Sequence, residues 1–352
     1  MEFQGKQLWQ DTPAAGDPYR SAYIEGINSF IKRINGECKK TRREWMPPEK
    51  LVENLEAYRQ QYRDMLGLSL FAGRTTKATK QELVGEDQVG KIYRLTVWLT
   101  EEIPFYALLI IPHQAQEPMP LVIAQHGGGG TPELCSDFVG NNNYNHMVQR
   151  ALARGAAVLA PQIAVWSKEE SETMRAHPVA YDRLKMDVAM KRFGSSLTAL
   201  EISGILKAVD YVSTLPQIDA EKIGMVGSSY GGYFTLNTMA ADTRIKAGYC
   251  VAVFNDRDVY PMTGWCYNSS AKMFQDAEVA ALCAPRKLFV QVGKEDEVFS
   301  YESALPEVER VYDYFKAFGK PENFAFSLWE GGHTLSDSDC GFDFLFAALN
   351  DR

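Results

Sequence analysis

The chain has 352 residues, of which 45% are hydrophobic, and its formal net charge at pH 7 is −8. This length suits one large domain with an appendage, and the hydrophobic fraction is ample for a buried core. The acidic balance argues against a basic surface for nucleic acid or anionic lipid, so neither is expected as a partner.

The cysteines and the N-terminal residues argue against disulfide bonds, a zinc site and a signal peptide. The six cysteines show no paired spacing, so the sequence predicts neither a disulfide framework nor a zinc site. The first residues lack the charged-then-apolar pattern of a signal peptide, and no apolar run reaches the length of about 20 residues that crosses a bilayer. We therefore expect a cytoplasmic protein without a membrane partner.

The first part of the chain is predicted to be helical. Between about residues 18 and 70 it is rich in Glu, Lys, Arg, Gln and Tyr, and its apolar residues recur at helical spacing. Pro47-Pro48 before Glu49 is typical of a helix start. We predict a helical appendage over residues 1–85, whose apolar stripe packs on the rest of the chain or on a second subunit. A homo-oligomer is thus one expectation.

Residues 86–352 alternate between strand-like and helix-like segments, as expected for a catalytic domain of the α/β class. The strand-like segments are 92–99, 105–111, 120–125, 156–160, 223–226, 247–254, 287–292 and 324–329. Because parallel neighbours need crossover connections, this alternation predicts a mostly parallel, doubly wound sheet. Ligands of such sheets bind beyond the carboxyl ends of the strands.

Glycines mark the ends of three of these strands. Residues 126–130 read His-Gly-Gly-Gly-Gly, residues 227–231 read Gly-Ser-Ser-Tyr-Gly, and residues 331–333 read Gly-Gly-His. The middle motif lies between a strand and a helix, which predicts a sharp turn with Ser229 at its apex. A serine hydroxyl becomes a useful nucleophile when such a turn exposes it beside a base and near backbone N–H donors.

In these motifs the chain resembles the α/β-hydrolase family, whose members carry serine, acid and histidine in that chain order. From about residue 93 to 349 it looks most like the branch that holds dienelactone hydrolases, acetyl xylan esterases and the catalytic domains of prolyl oligopeptidases. The similarity is carried by His126-Gly127-Gly128, Leu215-Pro216-Gln217-Ile218-Asp219, residues 227–232, Ala284-Pro285-Arg286 and Gly332-His333. Dienelactone hydrolases use a cysteine nucleophile, so a serine at position 229 favours the esterase side of this branch.

The resemblance implies a catalytic triad. Ser229 would be the nucleophile and His333 the base, and the family's Gly-x-x-Asp pattern assigns the acid to Asp296, with Glu295 as the alternative. The two N–H groups of an oxyanion hole would come from Tyr230 and from either Gly127 or Gly128. No cofactor and no metal is implied.

The substrate is predicted from the resemblance and from aromatic residues. Cap-like insertions at about 162–193 and 255–282 carry Trp166, Trp265 and Tyr267, whose rings suit the apolar faces of sugars. The sequence thus favours a serine esterase for short-acyl, chiefly acetyl, esters of carbohydrates or similar alcohols. The alternatives are a general carboxylesterase, a non-catalytic protein on a hydrolase scaffold, and a prolyl oligopeptidase-type peptidase, although fewer than 100 residues precede the hydrolase core.

Overall fold

The computed structural model describes residues 9–73, 75–113, 118–140, 142–164 and 181–350. Its first elements are two long helices, α1 (Asp17–Trp45) and α2 (Pro48–Leu66). A proline in the first turn of each helix has a φ already suited to the helix, and its missing N–H costs no internal hydrogen bond there. The helical prediction for this region is confirmed by these two elements.

A nine-stranded sheet forms the centre of the described part of the chain. Its strands are β1 (Lys80–Glu86), β2 (Gly90–Trp98), β3 (Pro104–Pro112), β4 (Met119–Gln125), β5 (Ala157–Pro161), β6 (Ile218–Ser228), β7 (Ile245–Val251), β8 (Lys287–Gly293) and β9 (Phe324–Trp329). They lie in the order β1-β2-β3-β5-β4-β6-β7-β8-β9. The first three strands and the β3–β5 pair are antiparallel, whereas β5, β4 and β6 to β9 run parallel.

Helices cover both faces of this sheet. The helices that follow α2 are α3 (Pro132–Cys135), α4 (Met147–Leu152), α5 (Arg183–Arg192), α6 (Leu197–Val212), α7 (Tyr230–Ala241), α8 (Ser270–Met273), α9 (Asp276–Cys283), α10 (Tyr301–Ala317) and α11 (Cys340–Asn350). One apolar core lies between the sheet and α2, α6, α7, α9 and α10, and a second lies under α4 and α11. The prediction of a mostly parallel, doubly wound sheet is confirmed.

Strand β1 lies almost entirely within residues 1–85, where the sequence predicts a helical appendage. It pairs with β2 at the edge of the sheet, and its side chains are exposed or half-exposed along its whole length. A strand with neither face buried has no alternation of apolar and polar residues, so the sequence carries no signal for it. The expected boundary between residues 85 and 86 falls inside this strand.

Helix α2 packs on the helices that flank the sheet, and the first half of α1 does not. Leu51, Tyr62 and Leu66 are fully buried in the core shared with α7, α9 and α10. The Arg59 side chain donates hydrogen bonds of 3.0 and 2.9 Å to the carbonyls of Leu282 and Ala284, at the end of α9. In α1, by contrast, the apolar side chains at positions 19, 23, 24, 30 and 31 are at least half exposed.

Deleting residues 1–72 is expected to yield insoluble protein. Each large apolar side chain of α2 contributes roughly 1.5 to 3 kcal/mol through burial, and three or four of them approach the total stability of a domain, about 5 to 15 kcal/mol. Soluble yield and size-exclusion profile measure the outcome. Deletion of residues 1–16 is the control, because residues 9–16 lie outside the core. A soluble, fully active protein lacking residues 1–72 would contradict the prediction.

Candidate active site

Ser229 occupies a strained turn between β6 and α7. Its φ of 58° and ψ of −122° are rare for a residue with a side chain, and its N–H donates a 2.9 Å hydrogen bond to the carbonyl of Val251. A non-glycine residue keeps such dihedral angles only where the surrounding structure holds it there. The turn exposes the serine side chain beyond the carboxyl end of the sheet, as the sequence predicts.

The glycines on either side of this turn are required by close backbone contacts. A Cβ on Gly227 would lie 2.3 Å from the carbonyl oxygen of Gly231, and a Cβ on Gly231 would lie 2.0 Å from that of Gln125. Both distances are far below a van der Waals contact, and the opposing atoms belong to backbone that cannot move aside alone. The Gly-x-Ser-x-Gly pattern is therefore a packing requirement of the turn.

The Gly231→Ala variant is expected to be destabilised by about 2 to 3 kcal/mol or more, because forced overpacking shifts the backbone under the turn. Thermal or urea unfolding measures the change. Gly36→Ala is the matched control: it lies in α1 with no atom within 4 Å of its added Cβ, so it should be neutral or slightly stabilising. Wild-type stability of Gly231→Ala would show that the turn tolerates a side chain.

His333 and Asp296 follow the two last strands of the sheet and contact each other. His333 Nδ1 lies 2.9 Å from Asp296 Oδ2 and 3.1 Å from Oδ1. The side chain of Asp296 is fully covered, and that of His333 is 15% exposed. This contact fits an imidazole that donates its Nδ1 proton to the carboxylate, which leaves Nε2 to accept a proton elsewhere.

The carboxylate of Asp296 is itself fixed by its loop. Oδ1 accepts hydrogen bonds of 2.8 and 2.9 Å from the N–H groups of Val298 and Phe299. The Phe299 ring also packs beside the imidazole of His333, with ring centres 5.6 Å apart. Glu295, the alternative acid, is exposed and has no hydrogen bond to His333 in the described part of the chain.

One cavity of about 460 Å³ brings the predicted residues together. Ser229, Tyr230 and His333 line it beside residues 127–129. Its apolar wall consists of Leu134, Met262, Trp265, Val298 and Phe299. Within the described residues no hydrogen bond joins Ser229 to His333. In enzymes without substrate the bond between nucleophile and base is often long and tightens on binding.

The glycine loop after β4 distinguishes between the two candidate donors, Gly127 and Gly128. The N–H of Gly127 donates a 2.8 Å hydrogen bond to the hydroxyl of Tyr144, so this group is already used. The N–H of Gly128 has no acceptor in the part of the chain that the structure describes. Of the two open alternatives for an oxyanion donor, the geometry therefore favours Gly128. Tyr230 is the first residue of α7 and lies at the positive end of the helix dipole.

The three aromatic residues predicted for the substrate differ in their positions. Trp265 lines the 460 Å³ cavity, packs edge-on against Tyr230 at 5.0 Å and stacks on Tyr233 at 4.6 Å. Tyr267 does not line this cavity: its hydroxyl bonds to that of Tyr233, and its ring lines a separate cavity of about 250 Å³. Trp265 lines both of these cavities, whereas Tyr267 lines only the smaller of the two. Trp166 lies outside the described residues.

His126 supports the glycine loop. Its Nε2 accepts a 3.2 Å hydrogen bond from the N–H of Ile163, and its Nδ1 lies 2.8 Å from the carbonyl of Gly127. The ring therefore connects the end of β4 to the end of β5.

Sequence reasoning missed Tyr144, Met262 and Phe299 as cavity residues, since no motif marks them.

The described residues contain no group of three or more side chains placed to hold a metal ion. In the same part of the chain, no helix combines the length and the apolar character needed to pass through a bilayer.

A family model and a related protein match part of the amino-acid sequence, whereas solved structures with a similar fold cover most of the chain. Residues 196–310 match the model of the prolyl oligopeptidase family. YtaP of Bacillus subtilis (strain 168), named as a hydrolase, is 27% identical over 221 residues, which cover 56% of this chain and 67% of YtaP.

Two solved structures resemble the fold. A Bacteroides fragilis NCTC 9343 protein named as an acetyl xylan esterase superposes with a TM-score of 0.66 at 14% identity, covering 84% of this chain and 81% of that one. The glucuronoyl esterase from Solibacter usitatus gives a TM-score of 0.58 at 15% identity, covering 82% and 92%. At such identities the likeness concerns the fold.

Proposed function

We propose that this chain, which has the α/β-hydrolase fold, is a serine hydrolase of carboxylic esters. One observation carries the proposal. Ser229 stands on a strained turn and lines the same cavity as His333, whose Nδ1 contacts the covered carboxylate of Asp296. A nucleophile, a base and an orienting acid in this relation are the requirements of acyl transfer through a covalent intermediate.

The proposed reaction has two halves. His333 Nε2 takes the proton of Ser229 as Oγ attacks the ester carbonyl carbon, and Asp296 stabilises the imidazolium that forms. The tetrahedral intermediate then expels the alcohol, which receives the proton from His333, and leaves an acyl group on Ser229. Water repeats the attack with His333 as base, which releases the carboxylic acid and restores the serine.

The negative charge on the carbonyl oxygen needs donors already in place. We assign this role to the backbone N–H groups of Tyr230 and Gly128, both of which line the cavity. Each donor of this kind contributes about 10²- to 10³-fold to kcat in enzymes of similar chemistry.

For the substrate we propose a short acyl group, chiefly acetyl, on a carbohydrate or a similar polar alcohol. Two of the structures with a similar fold are named for esters of sugars, an acetyl xylan esterase and a glucuronoyl esterase. The ring of Trp265 in the cavity wall supports the same choice, because an indole face packs well on the apolar face of a sugar.

A substrate panel tests this proposal. The kcat/KM of the protein is measured on the acetyl, butyryl and octanoyl esters of 4-nitrophenol and on acetylated xylo-oligosaccharides, with Ser229→Ala as the blank. We expect the acetyl ester to exceed the octanoyl ester at least tenfold and the oligosaccharides to be deacetylated. Activity that rises toward octanoyl, without sugar deacetylation, would replace the carbohydrate proposal with a general carboxylesterase.

A peptidase of the prolyl oligopeptidase type is the second candidate, because residues 196–310 match that family's model. The same triad cleaves amides when the leaving amine is protonated. A proline anilide peptide included in the panel separates the two candidates. We expect no measurable release of aniline, and release as fast as ester hydrolysis would favour the peptidase.

A further inference from the structure

A side cavity adjoins the 460 Å³ cavity of Ser229, and Trp265 lines both. The side cavity has a volume of about 250 Å³ and lies between α1, α2, α7 and residues 257–279. Its aromatic lining residues are Tyr62, Tyr233, Trp265, Tyr267 and Phe274. The wall therefore offers several ring surfaces to a ligand that has an apolar face.

The side cavity opens to solvent. Pro261, Cys266 and Ser269 line it and are exposed. Tyr267 and Ser269 also line an adjoining groove of about 600 Å³. A ligand can therefore enter from the surface, and a chain-like ligand can extend from the side cavity into the groove.

Three polar atoms of the lining residues are buried and have no hydrogen bond among the described residues. They are Arg257 Nη1, Trp265 Nε1 and Asp258 Oδ2. Arg257 is 7% exposed and Trp265 is 5% exposed. The other two guanidinium nitrogens are used, because Nε and Nη2 donate hydrogen bonds of 2.6 and 2.8 Å to Asp276. Buried polar atoms are nearly always paired, so these three indicate a polar occupant of the side cavity.

The charges around the side cavity argue against an ionic ligand. Among the described lining residues, Arg257 is the cation, and Asp258 and Asp276 are the carboxylates. Asp276 pairs with Arg257 through both of its oxygens, and Oδ2 of Asp258 lies 3.7 Å from Nζ of Lys39. Each charge thus already has an opposite charge beside it. A charged ligand would bring a further charge into a largely buried place without a counter-ion, which is costly.

A neutral polyhydroxy compound matches the three unpaired atoms. Arg257 Nη1 and Trp265 Nε1 are donors, whereas Asp258 Oδ2 is an acceptor. A hydroxyl group both donates and accepts, so the hydroxyls of one molecule can satisfy atoms of both kinds. A sugar ring adds an apolar face, which packs well on the aromatic rings of the wall.

We propose that the side cavity is a second carbohydrate-binding site, which takes a neutral sugar unit of an oligosaccharide. The sugar units that follow extend into the adjoining groove beside Tyr267. This site binds carbohydrate without taking part in the chemistry at Ser229. The choice of oligosaccharide as its ligand rests on the proposed carbohydrate esterase function.

Cys266 allows the occupancy of the side cavity to be measured directly. It is one of two exposed cysteines among the described residues, and the other, Cys340, is the first residue of α11 and does not line the side cavity. The rate at which iodoacetamide alkylates each cysteine is measured by mass spectrometry with and without xylotriose, which carries no ester. At about ten times its dissociation constant, xylotriose should slow the alkylation of Cys266 about tenfold and leave that of Cys340 unchanged. Equal rates for Cys266 with and without the sugar would overturn the proposal.

Two substitutions of one residue test whether the sugar occupies this space. Asn35 lines the side cavity from α1 and does not line the 460 Å³ cavity. The indole of Asn35→Trp fills the side cavity, whereas Asn35→Ala leaves it open. By isothermal titration calorimetry we expect Asn35→Trp to lose xylotriose binding and Asn35→Ala to keep it. Binding that persists in Asn35→Trp would place the sugar in the 460 Å³ cavity and refute a second site.

Glucose and glucuronate test the class of ligand, since they share a ring and differ in a carboxylate. Glucose should protect Cys266 from alkylation at a lower concentration than glucuronate does. Stronger protection by glucuronate would contradict a site for neutral sugars. Protection of Cys266 by xylotriose in a protein without esterase activity would uphold this site and refute the proposed function, and deacetylation without protection would do the reverse.

Discussion

The Ser229→Ala variant is expected to fold like the wild-type protein and to lose about 10⁶-fold in kcat for ester hydrolysis. Without Oγ no acyl-enzyme forms, and only binding and the oxyanion donors remain to assist attack by water. The change is small, because alanine fits wherever serine fits. Circular dichroism and a thermal melt establish the fold, and the 4-nitrophenyl acetate assay gives the rate.

Ser228→Ala is the matched control, since Ser228 is the adjacent residue in the same motif and lies at the end of β6 rather than at the apex of the turn. We expect this variant to keep at least a tenth of the wild-type activity. Near wild-type turnover in Ser229→Ala together with an inactive Ser228→Ala would assign the role of nucleophile to Ser228.

The Asp296→Asn variant is expected to lower kcat about 10⁴-fold. The amide keeps the shape of the carboxylate, and its oxygen can still accept the N–H groups of Val298 and Phe299. It cannot, however, compensate the charge of a protonated His333, and its NH₂ group favours the tautomer in which Nδ1 carries no proton. The pre-steady-state burst of nitrophenol measures the acylation step directly.

Glu295→Gln serves as the control for Asp296→Asn, because Glu295 is the neighbouring carboxylate and is exposed. Its effect on kcat should stay below tenfold. A larger loss in Glu295→Gln than in Asp296→Asn would transfer the acidic role to Glu295 and would imply that the contact between His333 and Asp296 is not the catalytic one.

The sequence identifies those parts of the site that depend on local backbone requirements. The glycines around Ser229 are visible as a motif because a Cβ at Gly227 or Gly231 would strike backbone atoms. The strand before each motif is a buried apolar run, which is also a local signal. For these reasons Ser229 and His333 could be predicted together with the strands that precede them.

The parts that the sequence misses depend on contacts between distant segments. Whether Gly127 or Gly128 offers a free N–H depends on the hydroxyl of Tyr144, which is 17 residues away and belongs to no motif. Tyr267 bonds through its hydroxyl to that of Tyr233, 34 residues away in the chain, and does not line the 460 Å³ cavity. Composition and spacing carry no information about either contact, since each is fixed by packing in three dimensions.

The packing of α2 on the end of α9 has a consequence for synthesis. Arg59 and its acceptor Leu282 are 223 residues apart in the chain. At a translation rate of about 5 to 20 residues per second, α2 leaves the ribosome roughly 10 to 45 s before its binding surface exists. During that interval the nascent chain carries an amphipathic helix with its apolar face uncovered. The yield of folded protein therefore depends on keeping that helix from associating with other chains until α9 and α10 have been made.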